Sequence, residues 1–466
     1  MATKRLTDYE RKRLENIKRN EDLLASLNIK SKLSDVSASS KRHRVEAKAY
    51  KINPEKKLKS ETPIVIRKSL RSQVKAPNPP GLLDDSKDIP NMSPRELVPI
   101  TMSDASTCSV SNESLVNKIL RACKQSHSKE EEDDDGDCVK KFRVRASIDL
   151  DKMELAEENI ARVVRGRISS VKFFPSEDMR MVVVGNRYGD LGFWNVNSAN
   201  KDGDGIYKYH PHHAPVSSIV IQPFSLNKII TSCYDGQVRS LDIEKETFGL
   251  AYTTEHEIVS MSQRCDDVNS LYLGEGRGVV RVCDERSGKL SFSGDLHEER
   301  INTIDFNSKN FNMMVTSSSD QTACIWDLRK LGKYKPEPLK VITRKRAVHS
   351  AYFSPSGSLV ATTSIDDKIG VLSGANYDDE FMIYHKNTSA GLSTFKGVWG
   401  WDDSYIFVGK NMKRKVYVIS TEKRRLVTTL ESPHMSAIPF RFDAHPLKPG
   451  VLAGATSHGQ VYVWSS

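Results

Sequence analysis

One short pattern recurs at a nearly constant interval through the C-terminal two thirds of the chain, and this interval strongly constrains the fold. The clearest copy spans residues 317–329: a small polar turn containing Asp320, then alternating apolar residues that include Ala323 and Ile325, then Trp326. Alternation with a period of two predicts a strand with one buried face. Equivalent strand ends recur every 42–47 residues. They are Trp194, Leu241, Cys283, Trp326, Leu372, Ile419 and Trp464.

This interval indicates a repeat protein built from small sheets. One such unit cannot bury its own faces, so neighbouring units must stack against each other. An interval of about 40–45 residues is typical of a four-stranded propeller blade, and His297, Asp320 and Trp326 resemble the polar side chains of a WD repeat. Seven strand ends therefore predict an all-β fold, a seven-bladed WD-repeat β-propeller over residues 149–466. The alternative, an ordinary β-sandwich with one accidental Trp-Asp pair, does not account for the regular interval.

The two ends of the predicted ring must be joined. The sequence ends two residues after Trp464, so the last blade is one strand short. A ring of blades leaves an exposed strand edge unless its ends pair with each other. Residues 160–164, an apolar segment just before the first repeat, are the nearest candidate for the missing strand. We expect them to complete the last blade.

Residues 1–148 differ in character from the repeats. Residues 1–75 hold 21 Lys and Arg against 9 Asp and Glu. We predict a basic and mostly disordered arm with a short helix at about 8–27, a second weak helix at 114–123 and an acidic run at 130–137. The charge indicates an acidic partner, most commonly nucleic acid; a tail that only aids solubility is the alternative. Basic clusters at 41–44 and 56–59 favour the nucleus, with the cytoplasm as a second location.

Cationic side chains recur at one end of the predicted ring. Strand alternation places the turn with Asp320 and the loop with His297 at the same end, and most repeats carry a cation there. Convergence from separate repeats is harder to obtain by accident than one exposed arginine, although exposed cations are ordinary. Such a face would contact DNA phosphates with little sequence specificity. The candidate DNA-binding residues are Arg167, Arg187, Arg277, Arg300, Arg344, Arg346 and Lys413.

The opposite end of the ring carries a second candidate surface. Asp327 and Arg329 follow the strand end at Trp326, and Asp284 and Arg286 occupy the same place one repeat earlier. Two Asp-x-Arg units on adjacent blades would put two guanidinium groups side by side, where they could bind another protein. The alternative is that each arginine only caps its own blade.

Motifs for catalysis, cofactors and metals are absent from the sequence. The Gly-rich stretch 274–278 does not lead from a strand into a helix, so it does not match a dinucleotide site. Seven cysteines occur without a Cys-x-x-Cys pair, which is typical of a reducing compartment and argues against zinc. No apolar run is long enough for a transmembrane helix, and no signal peptide is recognisable. We predict a soluble, intracellular, non-enzymatic protein with no cofactor, no bound metal and no membrane partner.

Five segments carry a resemblance to a known family: YERKRLENI at 9–17, IVIRKSLR at 64–71, ARVV at 161–164, GDLGFW at 189–194 and HSAYFSP at 349–355. With these segments the chain resembles the DNA damage-binding WD-repeat family. More distantly it is similar to the smaller subunit of the ultraviolet-damaged-DNA-binding heterodimer. That similarity implies DNA at one propeller end, with Arg167, Arg187 and Arg300 on phosphates. It also implies the cullin-4 adaptor subunit at the other end, held by Asp327 and Arg329.

The chain differs from that distant relative at one place. The relative inserts an aromatic-bearing hairpin into damaged DNA, whereas the corresponding tip here, residues 388–391, reads TSAG. Unstacking a base step costs a few kcal/mol, and a large apolar side chain must replace the lost stacking. We therefore expect general DNA and chromatin binding without recognition of a flipped-out lesion.

Together these features predict a nuclear DNA- and chromatin-binding WD-repeat protein that acts in DNA metabolism or the DNA damage response. A role as substrate receptor of a cullin-4 ubiquitin ligase is a further expectation from the resemblance. The alternative is a protein-interaction scaffold that binds acidic peptides or histones, without direct DNA binding by the propeller.

Overall fold

The computed structural model describes most of the C-terminal part of the chain. The described residues are 98–108, 111–128, 147–198, 205–222, 225–332, 336–384, 395–410 and 414–466, with Glu15, Lys18 and Arg19. The chain divides into two compact units, Met1–Leu83 and Asp84–Ser466. In the first unit, Glu15, Lys18 and Arg19 are helical and exposed, and they lie within the segment 8–27 that the sequence predicts as a helix. The rest of that helix, both basic clusters and the acidic run lie outside the described residues.

In the described part of the second unit, most of the regular secondary structure is short antiparallel strands. In chain order these are β1 (Ile100–Thr101), β2 (Ile160–Arg162), β3 (Ile168–Phe173), β4 (Met181–Asn186), β5 (Leu191–Asn195), β6 (Ile206–Tyr209), β7 (Val216–Ile221), β8 (Lys228–Cys233), β9 (Gln237–Asp242), β10 (Thr247–Thr253), β11 (Ile258–Gln263), β12 (Ser270–Glu275), β13 (Val279–Asp284), β14 (Leu290–Asp295), β15 (Ile301–Phe306), β16 (Met313–Ser318), β17 (Thr322–Asp327), β18 (Lys340–Thr343), β19 (Val348–Phe353), β20 (Val360–Ser364), β21 (Lys368–Ser373), β22 (Asp379–Tyr384), β23 (Val398–Trp399), β24 (Tyr405–Lys410), β25 (Lys415–Ser420), β26 (Arg425–Leu430), β27 (Pro439–Ala444), β28 (Leu452–Thr456) and β29 (Gln460–Trp464). The helices are α1 (Met102–Ala105) and α2 (Asn112–Ser128), with 3-10 turns at Leu150–Lys152, Glu157–Asn159 and Leu328–Lys330. No helix of the described residues is long and apolar enough to cross a membrane.

The strands form seven sheets arranged as the blades of a propeller. Blades 1 to 6 are β3–β6, β7–β10, β11–β14, β15–β18, β19–β22 and β23–β26, and blade 7 is β27–β29 completed by β2. The first strand of each blade lies next to the first strand of its neighbour, around a central channel. The predicted seven-bladed fold is confirmed. All seven strand ends found in the sequence, Trp326 and Trp464 among them, lie at the end of the third strand of a blade.

The hydrophobic core lies between the blades. Val315 and Ile325 of blade 4, for example, belong to one buried cluster with Val348 and Phe353 of blade 5. A middle strand of a blade is covered on both faces, so β17 is buried along nearly its whole length. Burial of apolar surface between neighbouring sheets, at about 25 cal/mol for each Å², holds the ring together.

The ring closes as the sequence predicts. Strand β2 pairs antiparallel with β29, with Ile160 opposite Tyr462 and Arg162 opposite Gln460. A bridge between Glu154 and Ser465 continues this pairing. The N-terminal strand thus gives blade 7 its fourth strand, and backbone hydrogen bonds join the two ends of the domain.

The described residues between 98 and 128, which lie before the predicted start of the propeller at residue 149, pack against the blades. Strand β1 pairs with β10 and adds a fifth strand to blade 2. The predicted weak helix at 114–123 is the longer α2, and Leu115 and Ile119 on it are fully buried in a cluster with Phe193 and Phe248. Its Leu, Val and Ile side chains repeat at helical spacing, so they have one apolar face to bury. That face covers the outer side of blades 1 and 2.

Candidate nucleic-acid interface

Polar side chains fix one end of the sheet in blade 4. His297 lies between Thr316 and Asp320, with Nε2 2.7 Å from the Thr316 Oγ1 and Nδ1 2.9 Å from the Asp320 Oδ2. Trp326 donates from Nε1 to the same Thr316 oxygen at 2.8 Å. Burial alone would raise the pKa of Asp320, but hydrogen bonds from His297 and Thr322 hold it below its usual range. These groups stabilise the blade and leave the surrounding loops free to vary.

The predicted DNA-binding arginines lie in the loops at that same end of the ring. Arg187 and Arg277 occupy turns between the second and third strands of blades 1 and 3, and both are exposed. Arg300 and Arg346 lie just before the first strands of blades 4 and 5, half-buried and exposed respectively. We call this end, defined by these four arginines, the upper face. It combines cations from four separate blades.

Arg187 is positioned by an aromatic side chain. Its guanidinium lies 5.1 Å from the ring centre of Tyr188, and that of Arg165 lies 5.1 Å from the same ring. Arg165 is also paired with Asp190, at 2.9 Å from Nε to Oδ2. Because a cation over an aromatic face is favourable by about 0.5–1 kcal/mol at exposed sites, Tyr188 helps to hold Arg187 in place without neutralising it.

Arg167 lies deeper, at the mouth of the central channel. Its guanidinium is 4.9 Å from the ring centre of Phe440, and the guanidinium of Arg441 is 5.0 Å from the same ring. Burial, with a further contribution from Arg187, lowers the pKa of Arg167 below its usual value. Like charges are therefore close enough to repel one another here.

Arg344, another predicted DNA-binding residue, is buried inside its blade rather than exposed on the upper face. Arg344 lies four residues before β19, the first strand of blade 5. His297 lies four residues before β15, the first strand of blade 4. Arg344 therefore takes the place of that histidine in blade 5. Its side chain is 3% exposed and pairs with Glu380, and Nη2 donates to the Thr362 Oγ1 at 2.8 Å. The sequence suggested an exposed cation, but the blade needs a buried polar group at this position. Lys413, the other exception, lies outside the described residues.

Sequence analysis also missed cations that line the central channel. Lys396 and Arg441 line the cavity, which has a volume of about 440 Å³. The register positions equivalent to Arg441 in blades 1, 2 and 4 hold Ser170, Ser218 and Thr303. A large cation among small hydroxyl residues is thus a signal, but it becomes visible only when the blades are aligned.

Burial in the channel lowers the pKa values of Lys396 and Arg441. Desolvation lowers the pKa of Lys396 well below its usual value, and Arg441 and Arg300 lower it further. Desolvation, with the nearby Arg167, likewise lowers the pKa of Arg441 to about 10. The pKa of His349 is lowered to about 4, mainly by desolvation and to a smaller extent by the charges of Arg441 and Lys396, so this imidazole is neutral at pH 7. The channel mouth is therefore electropositive without His349.

The opposite end of the ring, the lower face, carries both predicted Asp-x-Arg units. In blade 4, Arg329 and Asp327 form a bidentate pair with bonds of 2.9 and 2.8 Å, and the arginine side chain is 69% exposed. In blade 3, Asp284 accepts from the backbone amides of Arg286 and Ser287 instead. Among the described residues Arg286 forms no ion pair, and it is exposed. The two units thus differ: one arginine is held by its own aspartate, and the other is available.

One group of side chains is compact enough to hold a metal ion. Ligand atoms of His212, Cys233 and Asp235 lie within 4.8 Å of one another. His212 and Asp235 stand where blade 4 has His297 and Asp320, and the His212 Nε2 is 2.8 Å from the Thr231 Oγ1. We assign this group to the polar framework of blade 2.

The fold and the framework of blade 4 define the class of protein: a WD-repeat β-propeller. The family model described as WD domain, G-beta repeat matches residues 288–327, which cover the end of blade 3 and most of blade 4.

Within that class the chain is homologous to proteins from animals and yeasts. It is 28% identical to WD repeat-containing protein 76 of Xenopus laevis, over 98% of this chain and 80% of the relative. It is 26% identical to WD repeat-containing protein 76 of Mus musculus, over 98% of this chain and 74% of the relative. It is 24% identical to the DNA damage-binding protein CMR1 of the yeast Vanderwaltozyma polyspora, over 99% of this chain and 98% of the relative. Similarity therefore extends well beyond the matched repeat, through nearly the whole chain.

Proposed function

We propose that this protein is a nuclear DNA- and chromatin-binding WD-repeat protein that acts in DNA metabolism and the DNA damage response. The observation that carries the proposal is the upper face, where Arg187, Arg277, Arg300 and Arg346 come from four different blades. A flat ring that presents spaced cations suits the phosphate backbone of a duplex. Arg167 adds a further positive charge at the channel mouth.

The chemistry of this face favours phosphate contact over the reading of bases. Guanidinium groups in short loops reach a backbone laid across the ring, and phosphate contacts position a protein without conveying sequence. The described arginines of the upper face lie in short loops and turns rather than on a helix that could enter a groove. We therefore infer salt-dependent binding with little sequence preference.

The names of the relatives support the same role. CMR1 is described as a DNA damage-binding protein, and it aligns with nearly all of this chain. A propeller of this kind usually supplies binding surfaces rather than catalytic groups, so we infer a non-enzymatic function. A DNA-directed role also supports a nuclear location, to which the basic arm would contribute.

The lower face is the proposed site for a protein partner, with the cullin-4 adaptor subunit as the candidate. Arg286 is exposed, and Arg329 keeps donors free beyond its bonds to Asp327. Both arginines follow third strands of adjacent blades, so they lie on one side of the ring. DNA above and a ligase adaptor below would let the ring act as a substrate receptor.

A scaffold that binds acidic peptides or histones, without direct DNA contact by the propeller, is the second candidate. The exposed acidic residues Glu298 and Glu299 next to Arg300 favour it, because they dilute the charge that a phosphate backbone would meet. A peptide could avoid them more easily than a rigid duplex.

DNA affinities of single variants separate the two candidates. The protein without residues 1–83 should be used, because the basic arm could bind DNA unaided. Arg187→Glu and Arg277→Glu should each weaken binding about fivefold or more, to intact and ultraviolet-damaged duplexes alike. Arg286→Glu on the lower face is the matched control and should leave affinity unchanged. Absence of DNA binding by this protein would support the scaffold instead.

A further inference from the structure

The central channel contains cations that a duplex resting on the upper face cannot reach. Lys396 and Arg441 line the cavity beneath the loops, between the first strands of the blades. Both are only partly exposed, and the exposed part faces the channel. A side chain or small molecule can enter such a space, whereas a double helix is too wide.

Two cation pairs are held at this place by shared neighbours. Lys396 and Arg300 both bind Asn302: the lysine Nζ donates to its backbone carbonyl at 3.0 Å, and the arginine Nε donates to its Oδ1 at 3.2 Å. Arg167 and Arg441 share the ring of Phe440 in the same way. Arg441 in turn donates from Nε to the Ser169 carbonyl at 2.9 Å.

The acceptor that Lys396 uses is neutral. Among the described residues, no carboxylate lies within ion-pair distance of Lys396 or Arg300. The acidic groups in the channel, Asp305 and Asp443, lie nearer the lower end of their strands, where Asp443 pairs with Lys172 at 2.9 Å. A desolvated charge without an opposite charge is costly, and like charges nearby add to that cost. Positions of this kind are commonly binding sites, because a bound anion removes the cost.

We propose that the channel mouth binds a phosphomonoester dianion, held by Lys396 and Arg441 from within and by Arg300 and Arg167 from the rim. Such a group carries a charge of about −1.5 to −2 and three strong acceptor oxygens, which matches several converging donors. A volume of about 440 Å³ falls in the range of roughly 300–1,000 Å³ that small-ligand sites occupy. The dianion can belong to a phosphorylated side chain of a peptide or to a free phosphorylated small molecule.

Calorimetric titration of the full-length protein tests this site. The probes are inorganic phosphate, inositol hexakisphosphate, a phosphoserine peptide and the same peptide without phosphate. Lys396→Met should weaken binding of the phosphorylated probes by about tenfold or more. Lys345→Met, at an exposed position of the same end, is the matched control and should change affinity less than about twofold. Tighter binding of the phosphopeptide than of the inositol phosphate identifies a peptide ligand, and the reverse order identifies a small molecule.

The same variant distinguishes a binding role from a structural one. Lys396→Met removes a desolvated charge, so the thermal midpoint of the unliganded protein should stay the same or rise. Lys396→Arg should keep the affinity for the probes. A marked fall of the midpoint in both Lys396→Met and Lys396→Gln would overturn the proposal, as would full affinity in Lys396→Met or no binding of any phosphorylated probe to the unaltered protein.

The site shares Arg300 and Arg167 with the face proposed to bind DNA, but the part of Lys396 in phosphate binding does not depend on the proposed DNA binding. Lys396→Met should leave the affinity for duplex DNA unchanged, because a duplex contacts only the loops. If Lys396→Met loses DNA binding and phosphate binding equally, the two ligands do not have separate sites. If only the upper-face variants lose DNA binding, the proposed phosphate site stands.

Discussion

The amine of Lys396 donates a hydrogen bond of 3.0 Å to the backbone carbonyl of Asn302, two blades away in the ring. This contact joins blade 6 to blade 4 past blade 5. A neutral carbonyl orients the amine without cancelling its charge. The amine of Lys396 thus lies in the central channel, beneath the arginines of the upper loops.

Arg344 and Arg346 are two residues apart, yet they should respond differently to substitution. Arg344→Leu should lower the free energy of unfolding by about 2–3 kcal/mol, because it breaks the buried contacts to Glu380 and Thr362. Arg346→Leu is the matched control: its side chain is exposed, so stability should change by less than about 0.5 kcal/mol. Urea unfolding measures both. Equal stability of the two variants would argue against a buried role for Arg344.

Helix α2 should contribute to the stability of the ring. Ile119 is 0% exposed, so Ile119→Ala should reduce the free energy of unfolding by about 2–5 kcal/mol through the cavity that it leaves. Lys124→Ala, at an exposed position of the same helix, should have little effect. If Ile119→Ala unfolds like the unaltered protein in thermal and urea experiments, residues 98–128 are not part of the folded unit.

Stability should fall in mild acid because buried histidines must become charged. Burial is the main cause that lowers the pKa of His349 from 6.5 to about 4, and the charges of Arg441 and Lys396 contribute less. Above pH 6.5 the imidazole is neutral in both states and the full stability is present. Between these two pKa values the unfolded state binds more protons, so stability is lost as the pH falls, by about 1.4 kcal/mol per pH unit.

His349→Gln tests this pH dependence. The variant should lose less stability between pH 6.5 and pH 4 than the unaltered protein. His434→Gln, at an exposed position, is the matched control. The slope of unfolding free energy against pH is measured by urea unfolding at each pH. If this slope decreases equally in both variants, burial of His349 is not the cause of the loss of stability in acid.

The lower face should bind its partner through arginine side chains. Arg286→Ala combined with Arg329→Ala should weaken association with the cullin-4 adaptor subunit while the ring stays folded, because both side chains are exposed. The loss of Arg286 should account for the larger part of the weakened association, because Arg329 is already paired with Asp327. Lys289→Ala is the control in the same region. Undiminished co-purification of the adaptor with the double variant would leave these arginines with a capping role only.

The fold could be predicted because its signal is local and repeated. A strand end such as that at Trp326 recurs at the same place in every blade, and the strand missing from the last blade predicts its replacement by residues 160–164. The docking of 98–128 could not be predicted with the same ease. It depends on apolar side chains that find partners on blades 1 and 2, far along the chain.

The candidate site could be predicted only in part. Loop arginines such as Arg187 are identified by strand direction alone, because a loop residue at a known end of the ring can be placed without knowledge of packing. Arg344 looked equally exposed, but it stands in the position of a buried histidine. Lys396 and Arg441 carry no motif, and their importance comes from the channel that surrounds them.

We claim that the upper face of the ring binds DNA through phosphates, and the salt dependence of DNA affinity provides the sharpest test. For the protein without residues 1–83, the logarithm of the association constant should fall linearly with the logarithm of salt concentration. Arg187→Gln and Arg346→Gln should each reduce the magnitude of this slope by about 1, and Arg286→Gln on the lower face should not change it. Affinity that does not depend on salt, or equal slopes in all three variants, would contradict the claim.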